Sequence, residues 1–128
     1  MLSRVADSLY WMSRYAERAE NIARIVDVNM QLMLDVPKKQ AERLAKNWMP
    51  VVYCLGDDEL FLKHHKKTDA ATITEFLVFD REHPNSIVSC LCSARENART
   101  VREQITAEMW EQLNRTYLWC ISKSARQA

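Results

Sequence analysis

The sequence predicts an all-α, up-and-down helical bundle of five to six helices led by a long N-terminal helix, and three observations carry that expectation. An apolar seam in alternating steps of three and four runs unbroken through the first 33 residues. A second seam of the same kind occupies residues 87 to 105, and the final segment is apolar around most of a helix's circumference. A chain of 128 residues fits one domain with a single core.

The first helix is expected near residues 3–35. Its seam is Val5, Leu9, Met12, Ala16, Ala19, Ala23, Val26, Met30 and Met33, a seven-residue repeat that packs at a shallow left-handed crossing angle. Ser3 is the expected cap, and Pro37 ends the helix because the residue before a proline is pushed out of the helical region. Ala16, Ala19 and Ala23 narrow the seam, so a neighbouring helix or a bulky side chain comes close there.

Residues 38–55 read as a second helix interrupted at Pro50, followed by a turn at Gly56 and a short helix capped by Asp57 or Asp58. His64, His65, Lys66 and Lys67 close that helix, where its dipole favours positive charge. Thr68 or Asp69 opens another helix running to about Phe79. Residues 80–85 form a connector, with Pro84 followed by Asn85 or Ser86 as its exit. The next helix, near 86–105, has the seam Ile87, Leu91, Ala94, Ala98, Val101 and Ile105.

Thr106 and Glu108 start the last helix, near 106–125. Met109, Trp110, Leu113, Tyr117, Leu118, Trp119 and Ile121 cover more of it than one neighbour can bury. The closing Ser-Ala-Arg-Gln-Ala carries no glycine or proline stop, so either an oligomer or a further part of the domain is expected to complete it. The tryptophans at 11, 48, 110 and 119 read first as core anchors, at least two of them buried, and second as partner-facing hot spots.

Composition excludes several function classes. With 18 basic and 17 acidic residues there is no overall field to hold nucleic acid or an anionic membrane. No signal-peptide core and no run of eighteen apolar residues is present, so a cytoplasmic location is expected. Gly56 is the only glycine, which leaves phosphate-cradling loops and nucleophile elbows without raw material. Cys54, Cys90, Cys92 and Cys120 lie in apolar helical segments and read as buried reduced thiols. Cys90 and Cys92 diverge by about 200° on a helix. No glutamate has a histidine three residues later, so the di-iron ligand pattern of helical bundles is missing and no metal or other cofactor is expected.

The candidate site is polar. Glu17, Glu20, Arg24 and Asp27 form a stripe beside the first seam, and Arg95, Arg99 and Arg102 form a basic stripe of matching pitch. If the two face each other, a half-buried interhelical network results. Glu20-Asn21 recurs as Glu96-Asn97 at an offset of 76 residues, with Ile25 falling on Val101; a weak duplication and chance both account for so short an echo. The candidate binding residues are Glu17, Arg18, Glu20, Asn21 and Arg24, with Arg95, Glu96, Asn97 and Arg99 as counterpart.

Two blocks, MLSRVADSLYWMSRYAERAENIAR and FDREHPNSIVSCLCSARENARTVREQITAEMWEQLNRTYLW, resemble the alpha-E family of bacterial helical proteins; residues 38–67 resemble it only loosely. The resemblance maps a glutamate-arginine motif onto Glu17-Arg18. It implies company with ATP-grasp-like and transglutaminase-like proteins, and hence a peptide synthesis or modification system. Family members are usually longer, so residues 1–128 resemble the front part of such a domain.

The expected function is that of an accessory subunit binding a partner or peptide, without catalysis of its own. One alternative is an enzyme of amide-bond formation or transfer, with Glu17 or Glu20 as acid or base and Arg18 or Arg99 holding a carboxylate. The other is a self-associating bundle, a homo-oligomer whose charges fix helix register.

Overall fold

The computed structural model describes residues 2–127, and those residues form seven α-helices and no strand. Helix α1 spans Leu2–Asp35, α2 Lys38–Lys46, α3 Met49–Leu55, α4 Asp58–His64, α5 Ala70–Val78, α6 Ile87–Thr100 and α7 Ala107–Gln127. The all-α bundle is as expected, with one helix more because the 38–55 segment divides. The break falls at Asn47 and Trp48, and Pro50 sits in the first turn of α3, where its missing N–H costs nothing.

At 34 residues, α1 is a rod about 50 Å long, and α6 is its main packing partner. Helix α6 returns antiparallel to it: Ile87 packs against the cluster of Ile22 and Val26, and one turn later Leu91 shares a groove with Met12 and Ala16. Helix α7 turns back along α6: Arg95 meets Asn114. The short helices α2 to α5 gather around the later half of α1.

The seven-residue period of α1 holds, and Val5, Leu9, Met12, Ala19, Val26 and Met33 of the expected seam are buried or partly covered, but the packed face is rotated so that Ala16, Ala23 and Met30 give way to Tyr15 and Ile22. Met12, Ala19, Ile22 and Val26 are buried with Tyr15 and Met33 partly covered, whereas Ala16, Ala23 and Met30 are exposed. Two apolar stripes lie side by side on this helix. The inward one carries Tyr15 and Ile22, which remove more apolar area from water than alanines do. Ser3 lies inside the first turn rather than at a cap.

Two apolar clusters make the core. One gathers Ile22 and Val26 of α1 with Val52, Phe61, Ile73, Phe76 and Leu77 from the short helices. Trp48 belongs to it, its indole donating to the Met33 sulfur at 3.2 Å and its backbone N–H to Thr68 O at 2.8 Å. The other cluster joins Ala19 to Val88, Cys90 and Leu91 of α6 and Cys120 of α7. Ala94 and Ala98 are fully buried, so small side chains on α6 sustain the close approach. Of the tryptophans only Trp48 is buried: Trp110 is half-covered, and Trp11 and Trp119 are exposed.

The single glycine is used once, at the end of α3. Gly56 has φ 76°, the left-handed cap that a side chain resists, and it turns the chain into α4. Asp57 precedes α4 without capping it, because its carboxylate faces His83 instead, with Oδ2 3.3 Å from Nε2.

His83 was expected in a turn, and it is: its N–H donates to Asp80 O. Its side chain, however, is 1% exposed and stacks on Phe76 with centroids 4.2 Å apart. Ser86 caps α6 by accepting from Ser89 N at 3.2 Å, and its hydroxyl donates to Asp80 O at 2.6 Å. Helix α6 stops at Thr100, earlier than expected, and a 3-10 turn at Arg102–Gln104 leads to α7. Thr106 caps α7 as expected, its Oγ1 accepting from Met109 N at 3.1 Å.

Candidate functional site

The middles of α1 and α7 and the start of α6 meet at a cleft of about 400 Å³. Helix α1 brings Tyr15 and Arg18, the 80–86 connector and the first turns of α6 bring Arg81, Asn85 and Ser89, and α7 brings Tyr117. Pro84, Val88 and Ile121 supply an apolar lining, and Cys92 and Ser93 complete it.

Arg18 reaches this cleft because it is the flanking residue next to Ala19, the close-packed knob of α1. Its Nη1 donates to Asn85 Oδ1 at 2.9 Å, and its guanidinium carbon lies 5.5 Å from the Tyr15 ring centre. One arm of the fork is therefore fixed, and the remaining donors stay available. Arg81 is exposed at the rim. The lining holds two guanidinium groups and no carboxylate, and the cleft borders the first turn of α6, whose dipole adds positive potential.

On the α7 side, Tyr117 lies under Arg95, whose guanidinium carbon is 4.9 Å from the ring centre. Burial pushes the Tyr117 phenol above its usual range, and the Cys92 thiol beside it adds to the rise. The phenol therefore stays neutral, a hydrogen-bonding group at the cleft wall. Cys92 itself is exposed, as is Cys54, contrary to the expectation of four buried thiols. Cys90 and Cys120 are buried and free, and burial raises both thiols.

The two charged stripes do not form a shared network. Glu20 and Arg24 pair within α1 at 2.6 Å with both side chains two-thirds exposed, and Glu17 and Asn21 are exposed. Arg95 of α6 and Arg102 of the following 3-10 turn face the aromatic rings of α7, while Arg99 stays exposed. Arg95 Nε donates to Asn114 Oδ1 at 2.7 Å, and Arg102 lies over Trp110 at 5.0 Å. Glu96 sits 3.8 Å from Arg95 and 3.9 Å from Arg99, all within α6, and Asn97 donates to Ser93 O of its own helix at 2.8 Å. Among the described residues no ion pair joins α1 to α6. Of the nine candidate binding residues, Arg18 alone lines the cleft.

Sequence reasoning missed Tyr15, Arg81, Asn85, Ser89, Cys92 and Tyr117 as site residues. They converge from positions about a hundred residues apart, so no spacing marks them; the one local signal was the capped exit at Asn85 and Ser86. Glu20 borders a different and more open groove between α1 and α7, along with Met12, Ala16 and Leu113. A second glutamate-arginine pair, Glu42-Arg43, is exposed on α2 and lines neither. No group of three or more histidine, cysteine or acidic residues is placed to hold a metal ion among the described residues. No helix among them is long and apolar enough to cross a membrane.

Comparison with known proteins agrees with the early resemblance. Residues 1–127 match the Alpha-E family model, described as a predicted alpha-helical domain with a conserved ER motif. An uncharacterized protein of Mycobacterium bovis and one of Mycobacterium tuberculosis are each 27% identical over 118 residues, covering 84% of this chain and 13% of theirs. A further uncharacterized protein of Mycobacterium tuberculosis is 26% identical over the same length. The chain thus spans about an eighth of the length of these relatives. No solved structure matches it. With the family model covering it almost from end to end, the chain belongs to the Alpha-E family.

Proposed function

We propose that this chain is a partner- or peptide-binding domain, an accessory component of a bacterial peptide synthesis or modification system that works beside ATP-grasp-like and transglutaminase-like proteins. The system is the one that the family resemblance implies. The observation that carries the binding role is the cleft: Arg18, from the Glu17-Arg18 pair to which the resemblance assigns the family's motif, lines a cavity with two guanidinium groups and no acid. Cavities of this size, apolar with a few convergent polar groups, are the usual form of a binding site.

Glu17 and Glu20 give the enzymatic alternative little support. Both are exposed, neither lines the Arg18 cleft, and Glu20 is engaged with Arg24. A general acid or base needs a site where a reacting atom is held within hydrogen-bond reach; Glu20 borders only the more open groove between α1 and α7, and Glu17 lines neither cavity.

Cys92 provides the test, because an exposed thiol lies in the cleft lining. In a Cys54→Ser background, Cys92 is alkylated with a bulky maleimide and the affinity for the proposed ATP-grasp-like partner is measured by calorimetry. Loss of the complex on alkylation is the expected result. A complex of unchanged affinity overturns the assignment of the cleft as the contact point.

A further inference from the structure

Resting on the binding role just given, we propose that the cleft takes the free C-terminal carboxylate of a peptide, held by Arg18 and Arg81, with the terminal apolar side chain laid against Val88 and Ile121. Charge gives the first argument. Two guanidinium groups line one cavity without a lining carboxylate to neutralise them, so the cavity favours an anion. Arginine is the residue whose planar fork matches a carboxylate with two parallel hydrogen bonds.

Preorganisation gives the second. Asn85 Oδ1 accepts from Arg18 Nη1 at 2.9 Å, and Arg18 is half-buried with Tyr15 beneath it. The side chain is ordered before a ligand arrives, so less conformational entropy is lost on binding. Arg81, exposed at the rim, remains free to close on the second carboxylate oxygen.

The lining beyond the arginines selects among anions. Pro84, Val88 and Ile121 form an apolar wall next to the charge, which a phosphate ion leaves unused and an amphiphilic anion covers. Tyr117 brings a phenol to the lining, whereas the Ser89 hydroxyl is already taken up by Ser86 Oγ and the Arg81 carbonyl. At about 400 Å³ the cleft lies near the small end of ligand sites, roughly 300–1,000 Å³. That is room for the end of a peptide rather than for a folded segment. An α-carboxylate on a residue with an apolar side chain joins both requirements in one group.

The test is calorimetric titration of the full chain with N-acetyl-alanyl-leucine as the free acid, as its C-terminal amide, and with inorganic phosphate. The acid is expected to bind and the amide to bind at least about tenfold more weakly, as the loss of a charge-assisted hydrogen-bond pair requires. Arg81→Gln, at an exposed position, is expected to weaken the acid by a similar factor with an unchanged melting temperature. Arg18→Lys keeps the charge and loses the fork, and is expected to weaken it likewise.

Equal affinity for acid and amide, or no binding of the acid at millimolar concentration, overturns the proposal. So does phosphate that displaces the acid at equal concentration, which marks a general anion site. A complex with the ATP-grasp-like protein that is lost on Cys92 alkylation, in a chain that ignores the dipeptide acid, refutes the carboxylate assignment alone. A complex indifferent to alkylation refutes the binding role of the cleft itself.

Discussion

Acidification should destabilise this fold through His83, and the size of the effect follows from where that side chain lies. The imidazole is 1% exposed, stacked on Phe76, with neither ring nitrogen in an aligned hydrogen bond. Burial lowers its affinity for a proton, and the Asp57 and Asp80 carboxylates, which favour the charged form, do not offset the loss of solvent. The folded pKa therefore lies below the unfolded value of about 6.5. The unfolded chain binds the extra proton, so stability is full above that value and falls as the pH drops beneath it, until the folded pKa is passed.

One proton sets a limiting slope of about 1.4 kcal/mol per pH unit. For a urea m-value of roughly 1–3 kcal/mol/M, that moves the unfolding midpoint by about 0.5–1.4 M per pH unit at most. The assay is urea unfolding at a series of pH values between 7.5 and 5, for the wild type and for His83→Phe, which keeps a ring on Phe76 and cannot titrate. The difference in slope isolates His83 from His64, His65 and the carboxylates. Equal slopes for the two proteins refute the reasoning, whatever the absolute cost of the substitution.

Three further outcomes follow from the packing and the caps. Ala98→Leu places extra atoms where α6 is fully buried and should cost about 1–3 kcal/mol by overpacking, read as a lower urea midpoint. Ser86→Ala removes both the cap of α6 and the donor to Asp80 O, and should cost about 1–2 kcal/mol in the same assay. Glu20→Ala breaks only an exposed pair within α1, so it should change stability by less than about 0.5 kcal/mol; a large drop in melting temperature contradicts the exposure of that pair.

Much of the fold was legible because helix periodicity is a local property. Pro37, Gly56, Ser86 and Thr106 act through backbone geometry or a hydrogen bond a few residues away, and each sits at the expected boundary. The choice between adjacent stripes on α1 was not legible. Ala16, Ala23 and Met30 keep the same three-four rhythm as Tyr15 and Ile22, and only the neighbours decide which side turns inward. The end of α6 was overestimated for a similar reason, since Val101 and Ile105 continue the apolar pattern through a 3-10 turn.

Of the residues that line the cleft, Arg18 alone stood out in the sequence, and the others arrive from α1, from the connector before α6 and the start of α6, and from α7. Matching pitch made Arg95, Arg99 and Arg102 read as partners of the acids on α1. Pitch fixes which residues share a face, not which neighbour that face meets, and the rings of Trp110 and Tyr117 drew Arg95 and Arg102 to α7. The burial of His83 was not legible, because a histidine before a proline reads as a turn residue, and its backbone is one; the side chain is buried by stacking on Phe76 and facing Asp57.

The most direct measurement is the nitrogen-resolved NMR spectrum of the arginine side chains during titration with a peptide bearing a free C-terminus. The account predicts that the Arg18 and Arg81 guanidinium resonances shift and saturate together, along with the backbone of residues 85 to 93, while Arg24 and Arg99 stay in place. Shifts confined to Arg24, Arg99 and the outer face of α1, or a spectrum that does not change at all, would contradict it.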